Sequence, residues 1–352
     1  MKILVTGNYE IGYNRTVVIL DGLRMNGAEV IEMNYSNKRN LDISLFKKVA
    51  KTCDAIFLPS FTHGDVRFIR KLTKTVLVFD PLISKYLTKV YDYKNIKPYS
   101  PRALKNYYKD KIALKNADVV LSDTKSHLDY FASTFKISKN KFEVLPIGYP
   151  SSHFFPIEKP LNKITRIGFY GSFAPLQGID KIVDAMHLLK NRNDLVFHII
   201  GGGYDYIKVI NKIKEYGINN IVLEDRVAYD KLNEKINSFD ICLGIFGDSK
   251  KAKIVIPNKI YHYMASGKPV ITMESPAIKE LFTSNENILL CQNNGQGLAG
   301  AISYLLENNV KAKLIGDNGF KLVHSNFTEK EIGSRLIEII IKHLAIKNVL
   351  PL

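Results

Sequence analysis

The sequence predicts an α/β protein built from two successive parallel sheets, and three observations carry that reading. Short apolar runs bounded by turn residues alternate with helical patterns from end to end. At 352 residues the chain is long for one core and comfortable for two. The periodicity lapses once, over Pro146–Pro160, where four prolines fall within fifteen residues.

Taken in order, the first half predicts strands at Ile3–Val5, Glu29–Met33, Ala55–Leu58, Val76–Phe79, Val119–Ser122 and Glu143–Leu145. Helices lie between them, one beginning at Asn14 and stopped by Gly27, another over Pro101–Ala117. The pattern restarts with a strand at Arg166–Tyr170, a helix at Ile179–Lys190, a strand at Val196–Ile200 and a helix at Tyr206–Tyr216. Strands at Ile221–Leu223 and Ile241–Ile245, a helix at Asn258–Ala265 and strands at Pro269–Thr272 and Ile288–Leu290 complete it, and Thr328–Leu344 reads as an amphipathic helix. Two sheets of this kind make a pair of facing Rossmann-like domains with a cleft between them. The expected boundaries are 1–155 and 161–327, with 328–352 crossing back to the first domain.

Composition narrows the class. Hydrophobic content of 46% with 24% charged residues is ordinary for a globular protein, and no apolar run approaches the roughly 20 residues that span a bilayer. The opening MKILVTG enters a strand directly instead of forming a signal peptide. Cys53, Cys242 and Cys291 show no CxxC pairing, so neither a disulfide framework nor a zinc site is supported and a reducing cytoplasm fits. The net charge of +16 is uneven: residues 1–160 hold 26 Lys and Arg against 15 Asp and Glu, or +11, leaving +5 for the remainder. The excess is densest around Lys85, Lys89, Lys105 and Lys109, interleaved with Tyr86, Tyr91, Tyr93, Tyr99, Tyr107 and Tyr108. Basic residues beside amphipathic rings suit an anionic lipid surface on the inner face of the membrane, or simply a solvated face. Nucleic acid would answer the same charge, but charge alone supports it and it is not the expected partner.

In open parallel sheets, ligands bind beyond the carboxyl ends of the strands. The loop from Gly7 to Gly12 and the loop at Gly201-Gly202-Gly203 both lack GxGxxG spacing, and no GxxxxGK[ST] loop occurs, which disfavours a dinucleotide dehydrogenase and ATP phosphoryl transfer. Gly171-Ser172-Phe173-Ala174-Pro175-Leu176-Gln177-Gly178 joins a strand to a helix and could hold a diphosphate on backbone amides. Lys250, Lys251 and Lys253 lead to Pro257-Asn258-Lys259 at another helix start, where an anion would compensate the lysines. No Asp-x-Asp pair is present, so no metal is expected between protein and diphosphate. Two histidines are candidates: His262, one turn past Asn258, and His63, after a first-domain strand.

These segments resemble glycosyltransferase family 4, retaining enzymes of the two-domain GT-B fold. The resemblance runs through Phe79–Ser84, Ala117–Thr124, Gly171–Gly178, Gly244–Gly247 and, most specifically, Lys251–Ile271, KAKIVIPNKIYHYMASGKPVI. It implies a nucleotide-sugar donor, UDP- or GDP-linked, on the second domain, with no further cofactor. It also implies a glycan or lipid-linked acceptor on the first domain and same-face attack assisted by the leaving diphosphate. The family commonly places two glutamates eight positions apart at the donor, the second on its ribose; here those positions are Ile254 and His262. The diphosphate-binding Arg and Lys of many relatives appear as Ser172 and Gln177, with Lys251 and Lys253 as candidates to supply the charge. Donor-binding residues implied in this way are Gly7, Gly171, Ser172, Gln177, Gly178, Val227, Lys251, Pro257, Asn258 and His262. Asp80, Lys253 and Glu280 are the candidate catalytic residues, and His63, Lys85, Lys89, Lys105 and Lys109 face the acceptor or membrane. A catalytically weak donor-binding or partner subunit is the competing expectation, motivated by Ile254, Ser172 and Gln177.

Overall fold

The computed structural model describes residues 1–158 and 164–349. The first half contains β1 (Lys2–Gly7), α1 (Asn14–Met25), β2 (Glu29–Asn34), α2 (Ile43–Ala50), β3 (Ala55–Leu58), α3 (Val66–Leu72) and β4 (Val76–Phe79), then α4 (Pro101–Asn116), β5 (Val119–Ser122), α5 (Lys125–Phe135) and β6 (Phe142–Val144). The second contains β7 (Thr165–Gly171), α6 (Ile179–Leu188), β8 (Leu195–Gly201), α7 (Tyr206–Glu215), β9 (Ile221–Glu224), α8 (Leu232–Asn237) and β10 (Ile241–Leu243). It continues with α9 (Lys250–Ile254), α10 (Asn258–Ala265), β11 (Val270–Met273), α11 (Pro276–Lys279), β12 (Leu289–Cys291), α12 (Gly295–Glu307), α13 (Asn309–Asn326) and α14 (Glu329–Val349).

The chain forms two compact units, residues 1–150 together with the chain from Phe327 onward, and residues 151–326. The expected linker thus divides at Pro150; its residues 159 and 160, and the expected domain start at 161, lie outside the described residues. Unit 1 holds a six-stranded sheet in the order β2-β1-β3-β4-β5-β6, unit 2 one in the order β12-β11-β10-β7-β8-β9, and every pairing is parallel. Strands β3, β4, β5, β10 and β11 are buried at every position, as the continuous Val/Ile/Leu runs demand of a sheet covered by helices on both faces. Predicted strands shift by a residue where turn chemistry intervenes. Pro269 has no N–H to give the ladder, so β11 begins at Val270 while the Pro269 carbonyl still accepts from the Cys242 amide at 2.9 Å.

Helices begin where polar side chains cap them: Ser100 accepts from the Ala103 amide, Thr124 from His127 and Ser275 from Ile278. In unit 1, α14 lies against α1, backbone close to backbone at Gly22 and Gly333. A Cβ on Gly22 would stand 2.0 Å from the Glu329 carbonyl oxygen, and one on Gly333 would stand 2.1 Å from the Gly22 carbonyl carbon. Among the described residues, no helix is long and apolar enough to cross a membrane.

Candidate functional site

Each sheet reverses its strand order once, and such switch points open a crevice at the carboxyl ends of two neighbouring strands. In unit 2 the switch lies between β7 and β10. The chain leaving β7 at Gly171 turns through Pro175–Gln177 into Gly178, whose φ of +59° is left-handed and whose absent Cβ would strike the Phe246 backbone at 2.2 Å. The loop after β10 is laced onto it, the Phe246 amide donating to the Gln177 carbonyl at 3.0 Å and the Gly247 amide to Leu176 at 3.1 Å. Phe173, buried and stacked on Tyr206 at 5.9 Å, anchors this loop while Ser172 stays exposed. The Gln177 amide oxygen lies over Gly171, 2.4 Å from where a Cβ would be, with no hydrogen-bond partner. Arg226 ties the segment after β9 to the glycine loop after β8, donating to the Gly202 carbonyl at 3.0 Å, and leaves Val227 beside it half-buried.

Three further elements reach the same edge of unit 2. In α9, capped by Ser249, Lys251 is buried and Lys253 exposed; Glu280 is exposed at the end of α11. At the start of α10, Pro257 and Asn258 are partly exposed, but the next side chain turns inward. Lys259 is 4% exposed, its ammonium 3.6 Å above the Phe169 ring and 5.5 Å above Tyr170, with no hydrogen-bond acceptor. Burial holds it well below the usual lysine range.

The expected ribose contact of His262 does not survive as an open one. Its ring is 2% exposed, stacked on Phe154 at 3.8 Å and accepting from the Tyr170 hydroxyl through Nδ1 at 2.8 Å. Burial pushes it down to about 3, so it is a neutral imidazole packed between β7 and α10. Ile254 is buried too. The two family glutamate positions therefore both belong to the interior.

In unit 1 the switch lies between β1 and β3. Gly7 ends β1 at φ +119°, where a Cβ would stand 2.8 Å from the Thr62 methyl, so the loop after β3 closes directly over it. Asp80 ends β4 but does not face an open site. It is 2% exposed, with Oδ2 paired to Arg15 Nε at 2.7 Å and Oδ1 accepting from the Leu82 amide at 2.9 Å. Arg15 in turn donates to the carbonyls of Leu145 at 2.9 Å, Pro146 and Ile147, clamping the chain after β6. His63 is likewise buried: Nε2 donates to the Ile83 carbonyl at 3.0 Å, the ring meets Phe79 edge-on at 5.1 Å, and burial, aided by Lys85, pushes it down to about 3. Lys85 is partly buried over the Phe61 carbonyl at 3.4 Å, while Lys89, Lys105 and Lys109 are exposed. Sequence reading missed Arg15 and Lys38, and it set Lys259 at an anion-facing helix start where the structure buries it. Their long-range partners, or lack of them, leave no local pattern.

The architecture of both units defines the class, the two-domain parallel α/β fold of the GT-B glycosyltransferases. Within it, residues 164–308 match the family described as Glycosyl transferases group 1. The glycosyltransferase MJ1178 of Methanocaldococcus jannaschii is 27% identical over 159 residues, a match taking in 43% of this chain and 41% of that relative's length. Among solved structures, sucrose-phosphate synthase from Thermosynechococcus elongatus superposes with a TM-score of 0.77 at 15% identity, covering 98% of this chain and all of that one. Anabaena HepE, solved in complex with UDP-glucose, gives 0.72 at 14% identity over 97% of this chain and all of that one.

Proposed function

We propose that the protein is a retaining hexosyltransferase that takes a sugar from a UDP- or GDP-linked donor held by unit 2 and passes it to a glycan or lipid-linked acceptor held by unit 1. The observation that carries this reading is the unit 2 switch point, a glycine-built loop with an exposed Ser172 and an unpartnered Gln177 oxygen, within the residues that match the glycosyltransferase group 1 family. Pyrophosphate suits backbone amides at such a strand-to-helix turn, and Lys253, with Lys251 behind it, is the cation available to the departing phosphate. The bond from the sugar C1 to the donor phosphate oxygen breaks, a bond from C1 to the acceptor oxygen forms on the same face, and the acceptor proton passes to the leaving diphosphate. Glu280, exposed at the end of α11, meets sugar hydroxyls; Asp80 acts through Arg15, as a positioning residue. With His262 and Ile254 packed in the core, the ribose is held by other groups, including backbone near Val227.

The outward face of α4 supports a membrane-side acceptor. Arg102 and Lys105 flank the exposed Leu104 and Tyr108, and Tyr99 precedes them at 86% exposure. Three other tyrosines of this stretch pack together, Tyr86 against Tyr91 and Tyr107 at 5.5 Å each.

Calorimetric titration with UDP-, GDP- and dTDP-sugars tests the proposal; at least one is expected to bind, and transfer is expected to fall about 10- to 100-fold in Lys253→Ala. Failure of every donor to bind the folded chain would overturn it. A second reading, a catalytically weak partner subunit, is favoured by the buried Ile254 and His262. Donor hydrolysis above background that disappears in Lys253→Ala decides against that reading.

A further inference from the structure

We infer that Lys38, Lys85 and Lys109 form a binding site for a phosphate group on unit 1, so that the acceptor this unit holds is a phosphate-bearing molecule. The three lysines come from three separate stretches, after β2, after β4 and from α4, and converge on the loop after β3. The ammonium nitrogens of Lys109 and Lys38 lie 3.9 and 4.0 Å from the point a Gly64 Cβ would occupy, so they are no farther apart than the sum of those distances. Lys38 also donates to the Gly64 carbonyl, and Lys85 to the Phe61 carbonyl at 3.4 Å. Burial, and then the charge of Lys109, lowers Lys85 to about 8.

The carboxylates present do not balance them. Asp65 faces Lys38 at 3.6 Å and spends its other oxygen on the Asn8 amide. Asp110 Oδ2 accepts from the Ser84 hydroxyl at 2.7 Å and the Tyr86 amide at 2.9 Å, and burial pushes the carboxyl up to about 6. His63, 3.7 Å from Asp110, is held neutral. Asp110 offsets part of the charge at Lys85, which leaves Lys109 in excess, with Lys89 adding to the field at Lys85. Backbone here is strained: Phe61, whose carbonyl Lys85 meets, and Leu82, three residues before Lys85, are not glycines yet hold φ of +71° and +55°. Such strain collects where a site must keep its shape. A phosphate group, tetrahedral and with two or three free oxygens, can offer separate oxygens to the ammonium groups gathered here. A lipid surface as a whole would meet the outward face of α4, whereas Lys38 and Lys85 are partly buried and reachable by a single group.

Phosphate binding stands apart from the transfer reaction; only its assignment to the acceptor rests on the reading above. The test is calorimetric titration of the full chain, without donor, with glycerol 3-phosphate and with glycerol, beside co-sedimentation with phosphatidylglycerol and phosphatidylcholine vesicles. Glycerol 3-phosphate is expected to bind and glycerol not. Lys85→Gln and Lys109→Gln should each weaken binding tenfold or more, Lys109→Arg should restore it, and Lys47→Gln should leave it unchanged. If only phosphatidylglycerol shows the same dependence on these lysines, the site stands and its phosphate belongs to a lipid headgroup. Binding by neither probe, or equal binding by all variants with unchanged melting curves, overturns the proposal. Because no donor is present, failure of the nucleotide-sugar titrations would leave this result intact.

Discussion

Lys259 carries an amine into the interior of unit 2 where no carboxylate or carbonyl meets it, and its closest partner is the Phe169 ring. Leaving such a donor unsatisfied costs about 1–3 kcal/mol, and Met keeps the stem's volume, so Lys259→Met should raise Tm at pH 7 by a few degrees. The depressed folded-state value fixes the pH dependence: below the unfolded value of about 10.4 the unfolded chain binds the extra proton, so wild-type stability climbs toward pH 10. The advantage of the variant should therefore shrink between pH 7 and pH 10 in thermal melts; a constant advantage would show that burial of the amine is not its source. His262 gives the acid side. With the folded ring at about 3 and the unfolded ring near 6.5, stability drops below pH 6.5 by about 1.4 kcal/mol per unit for this group, and His63 adds a similar loss. His262→Gln, which can still accept from Tyr170, should flatten the acid limb of Tm against pH; an unchanged limb would contradict the buried neutral ring. Neither burial was legible in the sequence. A histidine one turn into a helix and an aspartate before a proline have the same local pattern whether they face a ligand or, like Asp80, an arginine 65 residues away.

At the scale of elements the sequence spoke more clearly, because the apolar runs of β3, β4 and β5 can lie only in a sheet covered on both faces, and Asn258–Ala265 is helical over the predicted span. What it could not show is which glycines hold elements together. Gly333 on α14 and Gly300 on α12 are both helical glycines with unremarkable neighbours in sequence. A Cβ on Gly333 would collide with Gly22 of α1, whereas one on Gly300 meets nothing within 4 Å. Alanine should therefore act oppositely at the two sites. Gly300→Ala gains roughly 0.5–1 kcal/mol of helix propensity, while Gly333→Ala forces the two backbones apart at a cost of about 1–3 kcal/mol or more. Paired thermal melts check this, and equal effects at both positions would mean that α14 does not depend on its close approach to α1.

At the scale of the whole molecule, the net charge of +16 is a statement about partners more than about folding. Charge in bulk attracts any polyanion, so a dedicated surface must be told from general attraction by position. The sequence shows the lysines and tyrosines interleaved; the structure separates those that pack inward, such as Tyr107 against Phe135, from the outward Tyr99, Leu104, Lys105 and Tyr108. If the outward face of α4 and the segment leading into it meet an anionic membrane, removing the charges of Lys94, Lys97, Arg102 and Lys105 together should weaken co-sedimentation with phosphatidylglycerol vesicles steeply. At about 1 kcal/mol for each cation at the surface, the ceiling is about a thousandfold at low salt, shrinking as added salt shortens the screening length toward roughly 8 Å at 0.15 M. Neutralising Lys47, Lys48, Lys51 and Lys71 instead removes the same charge from other exposed positions of unit 1. Those four should cost much less if the face is specific. An equal loss from both sets would mean that the membrane reads only the overall charge, and that Tyr99, Leu104 and Tyr108 take no part.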